Sequence, residues 1–383
     1  MAKKNNHSKI LITASNFTTV RTFLPEFLSE LSLNFDVYVA TNLSDIPQSQ
    51  INDLQQKSNF HLINIPIKRK INFFFDLYAL FKLILLIHKF KFEYTLSITP
   101  KAGLLTSISS FINLVKFRIH IFNGQIWYNK KLFYRFFLKS FDYITFTFSN
   151  KILCESFTQA NFLKKEGFTK KIINIIHYGS LMGVDTKIYK PNNIKKNELK
   201  SYYNLNKNTK ICMFVGRINF EKGINLILKA SDYFSSKENI FFILIGETEI
   251  SSYQIYDLIN NKKNLLYLGK KNNIFELLNI ADFITLPSSR EGFGISVIEA
   301  ASVEKPALVS NISGLKDTVI DKKTGFLFKS EDQKDFNKKL EFMFDNIPLL
   351  KRMGRKARIN VINRYEKKIV INHYVKFIKS LKK

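Results

Sequence analysis

Short apolar runs recur along this chain, each bounded by polar turns and followed by a stretch with helical spacing. ILITA (10–14), DVYVA (36–40), TLSIT (95–99), RIHIF (118–122) and KILCES (151–156) predict a first series of buried strands. ICMFVG (211–216), FFILIG (241–246), NLLYLG (264–269), DFITLP (282–287) and PALVSN (306–311) predict a second. Helical stretches lie between them, for example 222–234. Strand and helix in alternation argue for α/β domains with parallel sheets. The basic, polar segment GVDTKIYKPNNIKKNELKS (183–201), broken by Pro191, separates the two series and predicts a linker. The expected organisation is two doubly wound domains, 1–190 and 191–360, followed by a helical segment, 361–383. Open sheets of this kind take ligands at the carboxyl ends of their strands, so two such domains predict a central cleft.

Composition narrows the function classes. With 383 residues, 45% of them hydrophobic and 37 of them Phe, the chain has enough apolar material for two cores and is not a disordered polymer. Cys154 and Cys212 are the only cysteines, which excludes a disulfide framework and a zinc cluster and suits a reducing compartment. The apolar run that follows the basic start, Ile10–Ala14, is too short for a signal-peptide core, so it reads as the first strand, with Lys3 and Lys4 on a frayed tail.

The 59 Lys and Arg against 31 Asp and Glu give a formal charge of +28, which implies an acidic partner. No helix-turn-helix, zinc-finger or RNA-binding signature accompanies that charge, so no nucleic-acid partner is expected. Cations instead interleave with aromatics in KRKINFFFDLYALFKLILLIHKFKF (68–92) and WYNKKLFYRFFLKSFDY (127–143). Asp76, Lys82 and His88 interrupt the first segment, so a membrane span is not expected. A helix over 71–90 fits equally a core position and an interface with anionic head groups, because periodicity does not separate the two. The second segment, with Lys130, Lys131, Arg135 and Lys139, leans toward the membrane surface.

Two motifs carry chemistry. In PSSREGFGISVIEA (287–300), Glu291 and Glu299 stand eight positions apart around a Gly292-Phe293-Gly294 turn that predicts a helix start at Ile295. Glycines bring helix N-terminal amides close to a phosphate or sugar, and carboxylates accept hydrogen bonds from sugar hydroxyls. GRINFEKG (216–223) follows a strand and precedes a helix, so Arg217 and Lys222 can converge on whatever lies at the strand's end. No Walker A loop and no D-x-D occurs, and the histidines are scattered, so no metal and no cofactor is expected.

Together these motifs resemble glycosyltransferase family 4, retaining enzymes of the GT-B fold. The resemblance implies that Arg217 and Lys222, after Gly216, grip the donor diphosphate. It also implies that Glu291 holds donor-sugar hydroxyls, that the Gly292–Ile295 amides meet sugar or phosphate, and that Glu299 holds both ribose hydroxyls. Gly314 in NISGLKD (311–317) and TGFLF (324–328) match later family segments. SITPKAGLL (97–105), FNGQIWY (122–128) and HYGSLMGVDTKIY (177–189) resemble a narrower group that builds capsule and O-antigen glycans on polyprenyl-linked acceptors, which adds Lys101, Asn123 and Gly124 to the substrate-binding set. His120 reads as a core residue. The implied activity is transfer from a UDP-hexose or UDP-N-acetylhexosamine to a polyprenyl-diphosphate-linked saccharide. The expected location is cytoplasmic, on the inner face of the membrane. A GDP-sugar donor, a soluble acceptor, and a non-catalytic basic binding protein are the alternatives.

Overall fold

The computed structural model describes residues 7–57, 59–68, 71–250, 258–259 and 262–382. Lys3, Lys4 and the Arg69–Lys70 pair at the head of the first aromatic segment lie outside the described residues. The chain divides into an N-terminal unit, Met1–Met182 with Ile369–Lys383, and a C-terminal unit, Gly183–Lys368.

The N-terminal unit is built on strands β1 (Ser8–Thr13), β2 (Phe35–Thr41), β3 (His61–Asn64), β4 (Tyr94–Ser97), β5 (Phe117–Phe122), β6 (Lys151–Cys154) and β7 (Ile173–Ile175). All pair in parallel, in the order β3-β2-β1-β4-β5-β6-β7. Ile10, Leu11 and Ile12 of β1 have no exposed surface, as expected of a central strand covered on both faces. Every apolar run of the first series became a strand. The apolar pattern missed β3 and β7, which are short edge strands that pair on one side only, so HLIN and INI need less apolar surface.

The C-terminal unit repeats the scheme with β8 (Lys210–Val215), β9 (Ile240–Ile245), β10 (Leu265–Tyr267), β11 (Phe283–Leu286), β12 (Ala307–Ser310) and β13 (Gly325–Phe328), in the order β10-β9-β8-β11-β12-β13. Its core is aromatic at the centre, where Phe344 meets Phe234, Phe242 and Phe283. The segment 183–201 is more than a linker: Asn192 caps a helix, Asn193–Tyr202, and Tyr189 and Leu199 pack against the sheet's core. The expected helix over 222–234 is split. A 3-10 turn, Phe220–Lys222, ends at Gly223 with φ +77°, and the α-helix runs Ile224–Tyr233. A Cβ at Gly223 would sit 2.1 Å from the Pro287 carbonyl oxygen, so the chain can pass there only as glycine.

The helix Lys367–Ser380 sends Val370, Ile371, Tyr374, Val375 and Ile378 into the core of the N-terminal unit, where Tyr374 donates to the Ser180 carbonyl at 3.1 Å. Among the other helices of that unit, Phe73–Phe90 buries Ala79, Leu83 and Ile87, whereas Phe74, Leu77, Tyr78, Phe81 and Leu85 are exposed. It therefore has a core face and an open apolar face. The helix Leu132–Phe148 likewise exposes Leu132, Phe133 and Phe136, and both helices pack on Pro100–Ile112. Cys154 and Cys212 are buried free thiols.

Ile284 lies in the centre of β11 with no exposed surface, whereas Ile194 is 75% exposed. Ile284→Ala is expected to cost about 2–5 kcal/mol in a urea titration, and Ile194→Ala less than about 0.5 kcal/mol.

Candidate active site

In the C-terminal sheet β8 has β9 on one side and β11 on the other, so the strand order reverses at the β8/β11 pair. Loops leaving the carboxyl ends of such strands diverge and open a crevice, the usual ligand position in doubly wound sheets. Both sequence motifs begin there.

After β8, Gly216, Arg217 and Ile218 run beside the segment that follows β9. The Gly216 N–H donates to the Ile245 carbonyl at 3.0 Å, Ile218 N–H to Glu247 at 2.9 Å, and Glu249 N–H back to Ile218 at 3.0 Å. A Cβ at Gly246, whose φ is +149°, would stand 1.8 Å from the Gly216 carbonyl oxygen. The two loops are thus in main-chain contact. Arg217 Nη1 donates to Glu249 Oε1 at 2.5 Å, and Asn219 Nδ2 to Glu249 Oε2 at 2.6 Å. Asn219 Oδ1 in turn accepts from the Lys222 N–H at 2.8 Å and caps the turn that carries Lys222.

After β11, the Ser289 N–H donates to the Glu221 carbonyl at 2.9 Å and Arg290 Nη2 to Glu221 Oε2 at 2.8 Å. This holds the second motif against the first. Glu291 Oε1 accepts from both Lys222 Nζ and, at 3.0 Å, Ser288 Oγ. The Lys222 and Glu291 side chains are only 16% and 11% exposed, so their charge-assisted bond is poorly screened. Gly314 lies against the Glu291 carbonyl.

Gly292, Phe293 and Gly294 are buried, and Gly294 starts the helix Ile295–Ser302 without a side-chain cap. Such a helix directs first-turn amides and the positive end of its dipole toward the turn. Phe293 contributes only its main chain, because its ring packs against Tyr365 at 5.4 Å, and Ile295 packs partly on the same cluster. Further along the helix, Glu299 meets the Tyr189 hydroxyl. Burial raises the Glu299 carboxyl above its ordinary value, against the opposing pull of Tyr189 and Lys367, and burial beside that carboxylate raises the Tyr189 phenol. Tyr189 is fixed through its carbonyl, which accepts from Ser302 Oγ at 2.6 Å and from Arg358 at 3.1 Å.

Arg217, Lys222, Glu291, Gly216, Gly292–Ile295 and Glu299 therefore all belong to the loops and helix around one switch point. The other three expected residues lie in the N-terminal unit. Lys101 Nζ is bound to both oxygens of Asp76, at 2.8 and 2.9 Å. Asn123 and Gly124, the latter at φ +94°, follow β5. His120 is buried, is hydrogen-bonded through Nδ1 to Ser97 Oγ at 2.8 Å, and is held neutral by burial, with its pKa lowered to about 3. Sequence reasoning missed Glu249, Asn219, Ser288 and Tyr189. Tyr189 sat in the supposed linker, but Glu249 had a signal: it closely follows the strand that pairs with β8.

Among the described residues no three His, Cys, Asp or Glu side chains come together as a metal-ligand group. The chemistry on offer is two cations, a helix start and two carboxylates, a set suited to a diphosphate with hydroxyl groups at either end.

Residues 195–360 match the family model "Glycosyl transferases group 1". The chain is 29% identical over 372 residues to the capsular polysaccharide biosynthesis glycosyltransferase CapM of Staphylococcus aureus, covering 96% of this chain and 95% of the relative. It is 26% identical over 374 residues to the UDP-Gal:alpha-D-GlcNAc-diphosphoundecaprenol alpha-1,3-galactosyltransferase of Escherichia coli, covering 94% of each. Anabaena Alr3699/HepE, solved in complex with UDP and glucose, superposes with a TM-score of 0.79 at 15% identity, over 98% of this chain and 100% of that one. That likeness carries the fold, two Rossmann-like parallel-sheet domains of GT-B type. Since the matched region contains both Gly216–Gly223 and Pro287–Ser302, residues 195–360 are a group 1 glycosyl transferase domain and the chain is a glycosyltransferase.

Proposed function

We propose that this enzyme transfers a hexose or N-acetylhexosamine from its UDP derivative to a polyprenyl-diphosphate-linked saccharide in the assembly of a cell-surface polysaccharide, with retention of the anomeric configuration. The observation that carries this reading is the Lys222–Glu291–Ser288 cluster beside the uncapped start of helix Ile295–Ser302. The E. coli relative is a galactosyltransferase from UDP-Gal to a diphosphoundecaprenol-linked acceptor, and the S. aureus relative belongs to capsular polysaccharide biosynthesis; both support this reading.

In this reading Glu291 takes sugar hydroxyls, Lys222 and Arg217 take the diphosphate, and the amides of the Gly292–Gly294 turn meet sugar or phosphate. As the bond to the anomeric carbon breaks, negative charge grows on the departing phosphate, which is where fixed cations and amides lower the barrier. The acceptor hydroxyl attacks from the same face, and the leaving phosphate oxygen takes its proton. Glu299 accepts both ribose hydroxyls. Lys101, Asn123 and Gly124 serve the acceptor.

Cations in this role make a divalent metal unnecessary. Radiolabelled transfer is therefore expected to survive EDTA and to fall about 10²–10³-fold in Lys222→Ala, with UDP-sugars active and GDP-sugars inactive on a polyprenyl-linked acceptor. Loss with EDTA and recovery with Mn2+ would overturn the role of Lys222 and Arg217. Activity with GDP-sugars or soluble saccharides alone would overturn the substrate assignment.

Glu299 must be ionised to accept two hydroxyls. Because its carboxyl is raised, it protonates earlier on acidification than an ordinary Glu. UDP affinity measured calorimetrically should thus weaken on acidification sooner than an ordinary Glu at that position would allow, and recover as pH is raised. Glu299→Gln should bind weakly and lose that slope.

The membrane side of the proposal rests on the open aromatic faces of helices Phe73–Phe90 and Leu132–Phe148, flanked by Lys82, Lys130 and Lys131, since apolar rings with cations at their margin suit anionic head groups. No helix among the described residues is long and apolar enough to cross a membrane. Sedimentation with phosphatidylglycerol vesicles should drop about tenfold or more in a Phe74→Asp, Phe133→Asp double variant. Equal binding by wild type and variant would place the contact elsewhere.

A further inference from the structure

The functional reading assigns Arg217 to the donor diphosphate but leaves open what aims a flexible side chain that is 39% exposed. Lys222 is aimed by Glu291 from within its own motif pair. Arg217 has no such partner there. Its guanidinium is held instead by Glu249, from the loop after β9, through Nη1 to Oε1 at 2.5 Å.

Three features make Glu249 more than one end of a surface ion pair. First, its main chain is fixed to the loop it serves: Ile218 bridges to Thr248, and Ile218 N–H and Glu249 N–H bond across the two segments at 2.9 and 3.0 Å. The segment is closed on itself by Thr248, whose Oγ1 donates to the Ile250 carbonyl at 2.9 Å and accepts the Ile250 N–H at 3.1 Å. Second, both carboxylate oxygens are used. Oε2 accepts from Asn219 Nδ2 at 2.6 Å, which prevents the carboxylate from turning away with Arg217. Third, the base of this arrangement is the Gly216–Gly246 contact, too close for any side chain at Gly246.

A guanidinium has five N–H donors. Binding Glu249 through Nη1 leaves the others for phosphate oxygens, so the carboxylate can orient Arg217 without being displaced. An exposed ion pair of this kind stabilises the fold by only about 0–1 kcal/mol. Its effect lies in where the guanidinium sits. We infer that Glu249 is a positioning residue for the donor site, which orients Arg217 toward the nucleotide diphosphate while Asn219 holds the carboxylate in place. This rests on the reading of Arg217 as a diphosphate ligand.

The test is a double-mutant cycle on donor KM and kcat with Glu249→Ala, Arg217→Ala and the double variant, alongside thermal melts. Glu249→Ala should raise donor KM about tenfold with a smaller effect on kcat and an unchanged Tm. Glu249→Gln, which keeps one acceptor oxygen and loses one contact, should recover part of that loss. In the Arg217→Ala background, Glu249→Ala should add less than about twofold, because Asn219 still caps the Lys222 turn through its other side-chain atom. Independent, multiplying effects of the two substitutions would overturn the inference, as would a Glu249→Ala enzyme with wild-type KM, or one whose KM rises only with a fallen Tm. If Arg217→Ala itself leaves KM and kcat unchanged, the diphosphate reading of Arg217 fails, an outcome distinct from an impaired Arg217→Ala with a silent Glu249→Ala.

Discussion

The candidate site depends on main chain meeting main chain at the carboxyl edge of the C-terminal sheet. Gly246 lies against the Gly216 carbonyl and Gly223 against the Pro287 carbonyl, at separations where a Cβ would overlap an oxygen. These two contacts bring the loops after β8, β9 and β11 together. Hydrogen bonds then finish what the close approach permits: Ser289 to Glu221, Ile218 to Glu247, Glu249 to Ile218. Only after that can Lys222, Glu291 and Ser288 share one small volume. A bulkier chain at either glycine would separate the cations from the carboxylates before any substrate arrived.

Charge placement follows from this geometry. The chain carries a large excess of Lys and Arg, yet the two cations of the site are each matched to a carboxylate from a neighbouring loop. Pairing keeps long side chains in place and lowers the cost of holding charge in a partly dry crevice. Glu299 is treated differently. It sits against a phenol, where burial opposes its ionisation, and its neighbours Tyr189 and Lys367 only partly offset that cost. One carboxylate is thus clamped by charge and the other is left sensitive to its surroundings, which fits their separate tasks in the proposed reaction.

The N-terminal unit uses its aromatics in two ways. Part of the Phe content builds the core between sheet and helices, as Phe92 does, and part stays on open helix faces at Phe74, Phe81 and Phe133. The same sequence pattern supports both outcomes. Periodicity of a Phe-rich helix shows which residues share a face, and only packing shows that Ala79, Leu83 and Ile87 face the sheet.

The sequence by itself determined the architecture and most of the residues that meet at the candidate site. Short apolar runs bounded by turns and rich in β-branched and aromatic residues favour strand over helix, and all ten of those runs became strands. The glycine-bounded motifs also declared themselves, because close backbone approach admits few alternatives to glycine. Tertiary structure decided the rest. The edge strands β3 and β7 form because a sheet edge offers hydrogen-bond partners to segments with little apolar signal of their own. Tyr189 and Glu249 enter the site from segments that read as a linker and a loop, since their partners lie 110 and 32 positions away in the chain. Local pattern reports which surface a residue must bury. It carries no record of the distant side chain a polar atom will meet, and that pairing set the electrostatics of this site.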